Sequence, residues 1–557
     1  MRALSIALRA ALVSAVSTIG CLSIAGLDED FTEAGAAGGG GAGATGGGGP
    51  GAAACEPLTE ADCYGGPEGT EGVGLCVGGT RTCNAQGTAY GECVGQVLPS
   101  AEDCATPDTD ENCDGLTPCS GAAIWSKRFG EDATQSQFAT GVAVDRFGNV
   151  FITGGFFGHV NFGGETFQQI GARDLFLAKF DSAGTHLWSK AFGSSAPEIV
   201  GGLGIDADGN CVLTGGYSGL IDFCNDPLPS PAGYDVFVAV FGAESGDCVY
   251  SKGFPFAGDQ LGRSAVLDAQ GSTTVVGQLV GTVSFGGPDL SAGPSNGMFA
   301  VRLGANGGHL WSNAFSGDGG DLLPHDLAAG EDGVIISGSV IGGVDFGCGE
   351  LLDSGGGSKD AFVVELGDDG ACHWNTRFGG PGVAGSFGIA ALPGGGAVVT
   401  GAFNGTIDID IADDCPALTS AGGDDIFVTR LGAGGECVWN KRFGDAADQA
   451  AIRVALSDGG DIVIAGYFEG QLDLGDVSPL VSMGSHDAFV ARLDGSGEIV
   501  RWRKSFGDAA EQDALGVALD ESGAILVTGE FGGTIELGGE THQSTGIDDI
   551  FLAKLSP

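Results

Sequence analysis

Basic residues are scarce in this chain: 23 lysines and arginines stand against 72 aspartates and glutamates, a formal net charge of −49 over 557 residues. Phosphate backbones are bound by lysine and arginine, so this balance excludes nucleic acid as a partner. Cationic partners and divalent ions stay open, although acidity alone already favours solubility and repulsion between copies. Charged residues of both signs make up only 17%, whereas 107 residues are glycine. Charge-laced surface helices are thereby disfavoured, and short strands joined by tight turns are expected. Beyond the first 21 residues no run reaches the ~18 apolar residues of a membrane-crossing helix. Catalytic signals are lacking too. The seven histidines, His159, His186, His309, His325, His373, His486 and His542, show no ligand spacing. His186, His309 and His373 lie just before a packing aromatic, where an ordinary strand histidine is the expected reading. Gly293-Pro-Ser295-Asn-Gly297 has the spacing of a nucleophile elbow, but it precedes a strand and no helix follows it.

Residues 1–21 read as an export signal, with Arg2 and Arg9 as the only charges, an apolar stretch from Ala10 to Ile19, and small residues leading into a cysteine. Thr18-Ile19-Gly20-Cys21 resembles the bacterial lipoprotein cleavage box, with Thr18 in place of the usual leucine. The resemblance implies a lipid on Cys21; simple secretion is the alternative. Leu22 stands where aspartate would signal retention at the inner membrane, so an outer-membrane or cell-surface destination is expected. Residues 22–54 form a linker, almost entirely Gly and Ala from Gly35 to Ala54. Lacking side chains to bury, it is expected to act as a flexible tether.

Eight of the 16 cysteines fall in residues 55–119. So short a polar segment of an exported protein cannot bury enough surface to fold unaided, and a module stapled by four disulfides is expected, its pairing left open by the sequence. Within it, Asp108-x-Asp110-x-Asn112 begins like a calcium loop, with Asp114 as a further candidate ligand, but Cys113 replaces the required glycine and Cys119 the closing glutamate. Calcium is therefore a weakly supported cofactor, and no other cofactor is indicated.

From Trp125 onward the chain repeats. Trp125, Trp188, Tyr250, Trp311, Trp374, Trp439 and Trp502 are spaced 61 to 65 residues apart, and each is followed four positions later by phenylalanine: Phe129, Phe192, Phe254, Phe315, Phe378, Phe443 and Phe506. A period of this length signals a solenoid, propeller or array. Each unit reads as two hairpins, with Gly141–Asp145 and Asn149–Thr153 around a glycine turn, then Asp174–Lys179 and Thr185–Trp188 around another. A shorter extended piece, Gly158–Phe162 in the first unit, lies between them. Four strands per unit, seven units and no helical periodicity match a propeller. The last unit stops at Phe551-Leu-Ala-Lys-Leu-Ser-Pro557 without its Trp-bearing strand, while Ile124–Phe129 begins the array as such a strand with nothing before it. The predicted fold is all-β: a seven-bladed propeller over 120–557, closed by its N-terminal strand.

Repeat cysteines appear in pairs. Cys224 with Cys248, Cys348 with Cys372, and Cys415 with Cys437 occupy two positions that are both filled in units 2, 4 and 5 and both empty in the other four. Co-occurrence of this kind predicts three disulfides, each contributing about 3 kcal/mol. Cys211 is left over and reads as a small buried hydrophobe on a strand.

The pattern G-V-A-V-D-x-x-G-N-V-x-I-T-G, then D-x-F-x-A-K-x-D-x-x-G, then L-W-S-K-x-F-G resembles the seven-bladed beta-propeller repeat of bacterial surface and secreted proteins. The resemblance covers residues 124–557 in seven registers and implies a fold and an envelope location. It implies no common activity.

If the G-V-A-V-D strand is innermost, the D-x-x-G turns share one face. The opposite face collects the variable loops and the acids after each W-x-x-x-F-G: Glu131, Asp132, Asp259, Asp318, Asp321, Asp445, Asp448, Asp508 and Glu511, with Gln260, Gln449 and Gln512 beside them. The binding face is expected there. Asp145, Asp206, Asp268 and Asp520 occupy one turn position, which ordinary turn chemistry explains. The D-x-F aspartates, Asp174, Asp235, Asp360, Asp425, Asp487 and Asp549, are expected to fix strand starts. The leading reading is a non-enzymatic, monomeric surface protein for binding or adhesion to a protein or glycan, touching the membrane only through its lipid. An envelope hydrolase or lyase with a metal-assisted site near the channel is one alternative, marked by His, Arg and carboxylates converging from several blades. A purely structural envelope component is another.

Overall fold

A computed structural model describes residues 55–557 apart from 68–69, 101–108, 112, 114–119, 232, 319, 356, 410–414 and 476–477. The export signal with Cys21, the Gly/Ala linker, Asp108, Asp114, Cys104 and Cys119 lie outside the described residues. Two compact units divide between residues 119 and 120.

In the N-terminal unit the hairpin Glu60–Cys63 with Gly79–Thr82 is bound by disulfides Cys55–Cys83, Cys63–Cys93 and Cys76–Cys113. Among its described residues the buried apolar side chains are Cys55, Cys76, Cys83 and Cys113. The bridges thus stand where a hydrophobic core would otherwise be.

The second unit is a seven-bladed β-propeller, with no helix among the described residues. Blade 1 is Gln137–Val144, Val150–Phe156, Asp174–Phe180 and His186–Phe192 in hydrogen-bonded order from inner to outer strand. In blade 7 the outer strand is supplied by Ala123–Phe129, which pairs antiparallel with Asp549–Leu555, from Ala123 opposite Leu555 to Phe129 opposite Ile550. The ring closes through this pairing, leaving no blade short of a strand.

The invariant residues of the repeat hold neighbouring blades together. Each outer-strand tryptophan lies against the glycine of the third-to-fourth-strand turn in the next blade: Trp125 against Gly184, Trp188 against Gly246, Trp311 against Gly370, and, across the closure, Trp502 against Gly121. These glycines have φ between +62° and +79°, a left-handed conformation that avoids both backbone strain and a clash of Cβ with the indole. For Trp125, Trp188 and Trp311 the indole N–H completes the lock by donating to a carbonyl of the same turn, at 3.1 Å to Ser182, 3.3 Å to Ala243 and 2.7 Å to Asp368. The phenylalanine four positions on seals the same joint higher up. Phe192 packs on Phe223 at 4.9 Å, and Phe223 on Phe237 at 4.6 Å.

Phe223 belongs to the extra extended segment, whose place is now defined. It forms a small hairpin draped over the outer edge of the preceding blade. Thr406–Ile409 pairs directly with the blade 4 outer strand, Phe378 opposite Ile409. Exposed sheet edges invite association, and these hairpins cover them. Disulfides Cys224–Cys248, Cys348–Cys372 and Cys415–Cys437 pin three of the hairpins to the start of their own blade's outer strand. His186 and His309 take the corresponding strand position in blades 1 and 3, against Gly164 and Gly287. Cys211 is fully buried and unbridged, and burial pushes its thiol up to about 12, so it is inert at neutral pH.

Candidate functional site: the channel and its mouth

Turns between the first and second strands, and between the third and fourth, share one face of the propeller. Their aspartates are engaged by the backbone. Asp145 accepts from the N–H of Phe147 at 3.0 Å and of Asn149 at 2.8 Å, Asp206 from Asp208 and Asn210, and Asp520 from Ser522 and Ala524. A cleft of about 400 Å³ between blades 4 and 5 opens beside these turns, bordered by Glu331, Asp332, Glu365, His373 and Trp374. The D-x-F aspartates fix strand starts in the same manner, Asp174 accepting from Ile170 N–H and Asp487 from Met483 N–H. Arg128, Arg377 and Arg442 add ion pairs to Asp549, Asp360 and Asp425.

On the opposite face the nine acids expected to form a binding surface divide into two groups. Asp132, Asp445 and Asp508 shape the loops themselves: Asp445 accepts from Ala447 N–H, the Gln449 amide and Gln471 N–H at 2.8–3.0 Å, and Asp508 repeats this with Ala510, Gln512 and Thr534. Asp132 accepts from Thr134 at 3.0 Å, which holds its carboxyl below the usual value, and meets His159 at 3.3 Å. Gln260, Gln449 and Gln512 are fully buried and fasten the same loops. Glu131 is exposed, and Asp318 donates its N–H to Gly343 O at 2.8 Å. The remaining acids border the channel mouth: Asp259 accepts from Tyr234 N–H, Asp321 from the Asn296 amide at 2.8 Å, Asp448 from Asp424 N–H, and Glu511 from Ser485 at 3.5 Å.

A second set of mouth residues is hidden in the sequence by its variety. Immediately before the D-x-F position stand Arg173, Tyr234, Asn296, Lys359, Asp424, His486 and Asp548, and all seven are half-buried. Backbone hydrogen bonds hold them in place. At five of the positions the residue that opens the next blade's inner strand, or in blade 2 the one just before it, donates its N–H to this residue's carbonyl, Glu198 to Arg173, Gln260 to Tyr234, Gln449 to Asp424, Gln512 to His486 and Gln137 to Asp548, at 2.7–3.0 Å. Each side chain therefore sits at the top of an inner strand, on the rim of the channel. The rim is electrically divided. Blades 5 to 7 carry Asp424, Asp448, Glu469, Asp513 and Asp548 around Tyr467 and His486, whose rings stack at 4.3 Å. Burial pulls His486 down, but its contact with Asp513 and the charges of Asp513, Glu469 and Glu511 carry it above its ordinary value. Burial raises Asp424 and Asp548.

Deeper in the channel every inner strand carries a bulge opposite the second strand. Glycine follows the bulge in four blades (Gly141, Gly202, Gly388 and Gly516), whereas blades 4 and 6 place Asp326 and Arg453 there. Arg263 and His325 occupy the bulges of blades 3 and 4. Asp326 reaches Ile389 N–H of blade 5 at 3.2 Å, and Arg453 donates to Phe387 O of the same strand at 3.3 Å, so the two flank Gly388. His325 Nδ1 donates to Ser386 O at 2.9 Å. Burial holds His325 down to about 3 and raises Asp326 to about 7.

One family model, described as a beta-propeller repeat, matches residues 124–154. An uncharacterised WD repeat-containing protein of Acanthamoeba polyphaga mimivirus is 22% identical over 443 residues, 65% of this chain and 31% of that protein. The chain thus spans about a third of the length of this curated relative. Among solved structures, quinohemoprotein alcohol dehydrogenase from Comamonas testosteroni aligns with a TM-score of 0.37 and 10% identity, over 78% of this chain and 76% of that one. BamB from Moraxella catarrhalis aligns with a TM-score of 0.31 and 13% identity, over 77% and 96%. No activity follows from these likenesses.

The sequence reading assigned no role to the pre-D-x-F ring, to His325 or to the bulge residues. A detectable signal was present: position-by-position alignment of the seven units shows one column of seven mostly unlike polar residues beside a column of near-constant aspartate. Asp110 lies in the N-terminal unit, its carbonyl accepting from Leu75 N–H at 2.9 Å. Among the described residues no group of three or more His, Cys, Asp or Glu side chains is arranged to hold a metal ion.

Proposed function

We propose that this is an exported, non-enzymatic binding protein, anchored at the cell surface through Cys21, that takes a protein or glycan ligand over the mouth of its channel. One observation carries the reading: seven half-buried, mostly unlike polar side chains occupy the single column where an otherwise regular repeat abandons its consensus. Assembly of a ring does not require such diversity, whereas a ligand is recognised by specific donors and acceptors on a rigid frame. Asp259, Asp321, Asp448 and Glu511 border this ring and belong to the same surface. The export signal and Gly/Ala linker support the location.

The test is a protein and glycan array probed with the full mature chain, with and without calcium. Bound ligand should be lost about tenfold or more, roughly 1.4 kcal/mol, in a Lys359→Ala, His486→Ala double variant whose melting temperature is unchanged. Binding that survives this change rejects the mouth as the site. Loss of binding with a chelator adds calcium to the recognition.

A further inference from the structure

We infer that the channel below the mouth holds the oxyanion of a small ligand, a carboxylate or phosphate, between Arg453 and Arg263, beside His325. This deepens the binding reading, because the anion enters through the mouth. Cations are scarce in the chain, 23 in 557 residues, yet three of them come from blades 3, 4 and 6 to the surroundings of one buried histidine: Arg263, Lys359 and Arg453 all bear electrostatically on His325. Arg453 is 2% exposed and Arg263 6%. The Arg453 guanidinium folds back into the ring, its Nη1 donating to the carbonyls of Ile452 at 2.6 Å and Phe387 at 3.3 Å. Its Nε and Nη2 are buried without a hydrogen-bond partner among the described residues.

A buried guanidinium with two unsatisfied donors is costly, and a planar oxyanion is the group that matches such a fork in charge and geometry. Asp326, the carboxylate on the far side of Gly388, does not satisfy it. Its oxygens accept instead from Leu327 N–H at 2.5 Å, Ile389 N–H at 3.2 Å and Ser264 at 3.4 Å. Hydrogen bonds also lead from this level to the mouth, from Arg263 to Gln278 at 3.0 Å, Gln278 to Asn296 at 3.0 Å and Asn296 to Asp321 at 2.8 Å. A bound anion would thus connect channel and rim.

The experiment is calorimetric titration of the full chain with inorganic phosphate and, separately, with succinate, at constant ionic strength in a sulfonate buffer. At least one probe should bind saturably at one site, which also distinguishes phosphate from carboxylate. Arg453→Gln should weaken that binding about tenfold or more, and Asp326→Asn, by removing the local negative charge, should tighten it about threefold. If Arg453→Gln does not fold, Arg263→Gln serves in its place with the same expected loss. Absence of saturable binding by both probes, or equal affinity in the arginine variants, overturns the inference. An array ligand that needs Lys359 and His486 but is indifferent to Arg453 overturns it while leaving the mouth reading intact. Phosphate binding lost with Arg453 in a chain silent on the array does the reverse.

Discussion

The two faces of the propeller are built from the same seven repeats, yet one is nearly uniform and the other is not. On the turn face, side chains do the joining: Asp145 and its equivalents bond to turn amides, and each tryptophan lies on the next blade's glycine. A residue whose side chain carries a structural bond cannot change without losing it. At the mouth, the joining bond belongs to the backbone carbonyl of Arg173, Tyr234, Asp424, His486 or Asp548. That bond does not depend on the side chain, so the residue can vary, although Arg173, Asn296 and Asp548 add side-chain bonds to Glu198 O, Asp321 and Ser136 of the next blade. The two faces thus differ in which part of a residue carries the repeated bond, the side chain on one and the backbone on the other.

The largest effect expected from breaking this comparison is at the glycine column of the second strand. A Cβ on Gly401 would lie 2.0 Å from the Gly385 carbonyl, so Gly401→Val should cost more than about 3 kcal/mol and abolish cooperative thermal unfolding. Next, replacing both Cys415 and Cys437 by serine should cost about 3 kcal/mol in urea denaturation under oxidising conditions. Asp520→Ala, which removes three turn hydrogen bonds and the Lys554 partner, should cost about 1–3 kcal/mol, against about 0.5 kcal/mol or less for Lys359→Ala at the mouth. Equal losses from this last pair would erase the distinction between the faces.

The smallest effect concerns pH. Burial raises Asp174 and Asp235 to about 6, in blades whose outer strand offers Ala191 or Gly253 where blades 4, 5 and 7 carry Arg377, Arg442 and Arg128. Because the folded-state values lie above those of the unfolded chain, these groups favour folding below about pH 4, and that contribution is lost as pH rises through 6. The decline in melting temperature between pH 4 and 7 should flatten in the Asp174→Asn, Asp235→Asn double variant. An unchanged slope would show that these two carboxyls ionise normally.

Much of the fold was readable from residue order. The tryptophan period, the missing fourth strand of the last unit and the stray strand at Ile124 together led to seven blades and their closure, because each is a property of order along the chain. The acidic loop residues were readable only as a group. Asp132, Asp445 and Asp508 share a composition with Asp321 and Asp448, but the former bond to their own loops and the latter border the channel, a difference made by neighbours distant in sequence. His325 and Arg453 gave no signal at all, being 128 positions apart on strands of ordinary pattern.

By itself, the sequence determined the repeat, the all-β class, the closed ring and the residues that each blade needs for packing, since local periodicity and turn chemistry act within a few residues. Only the tertiary structure decided which polar groups meet: the ring brings the inner strands of all blades to one axis, and burial there gives charge, hydrogen-bond vacancy and proximity their chemical meaning.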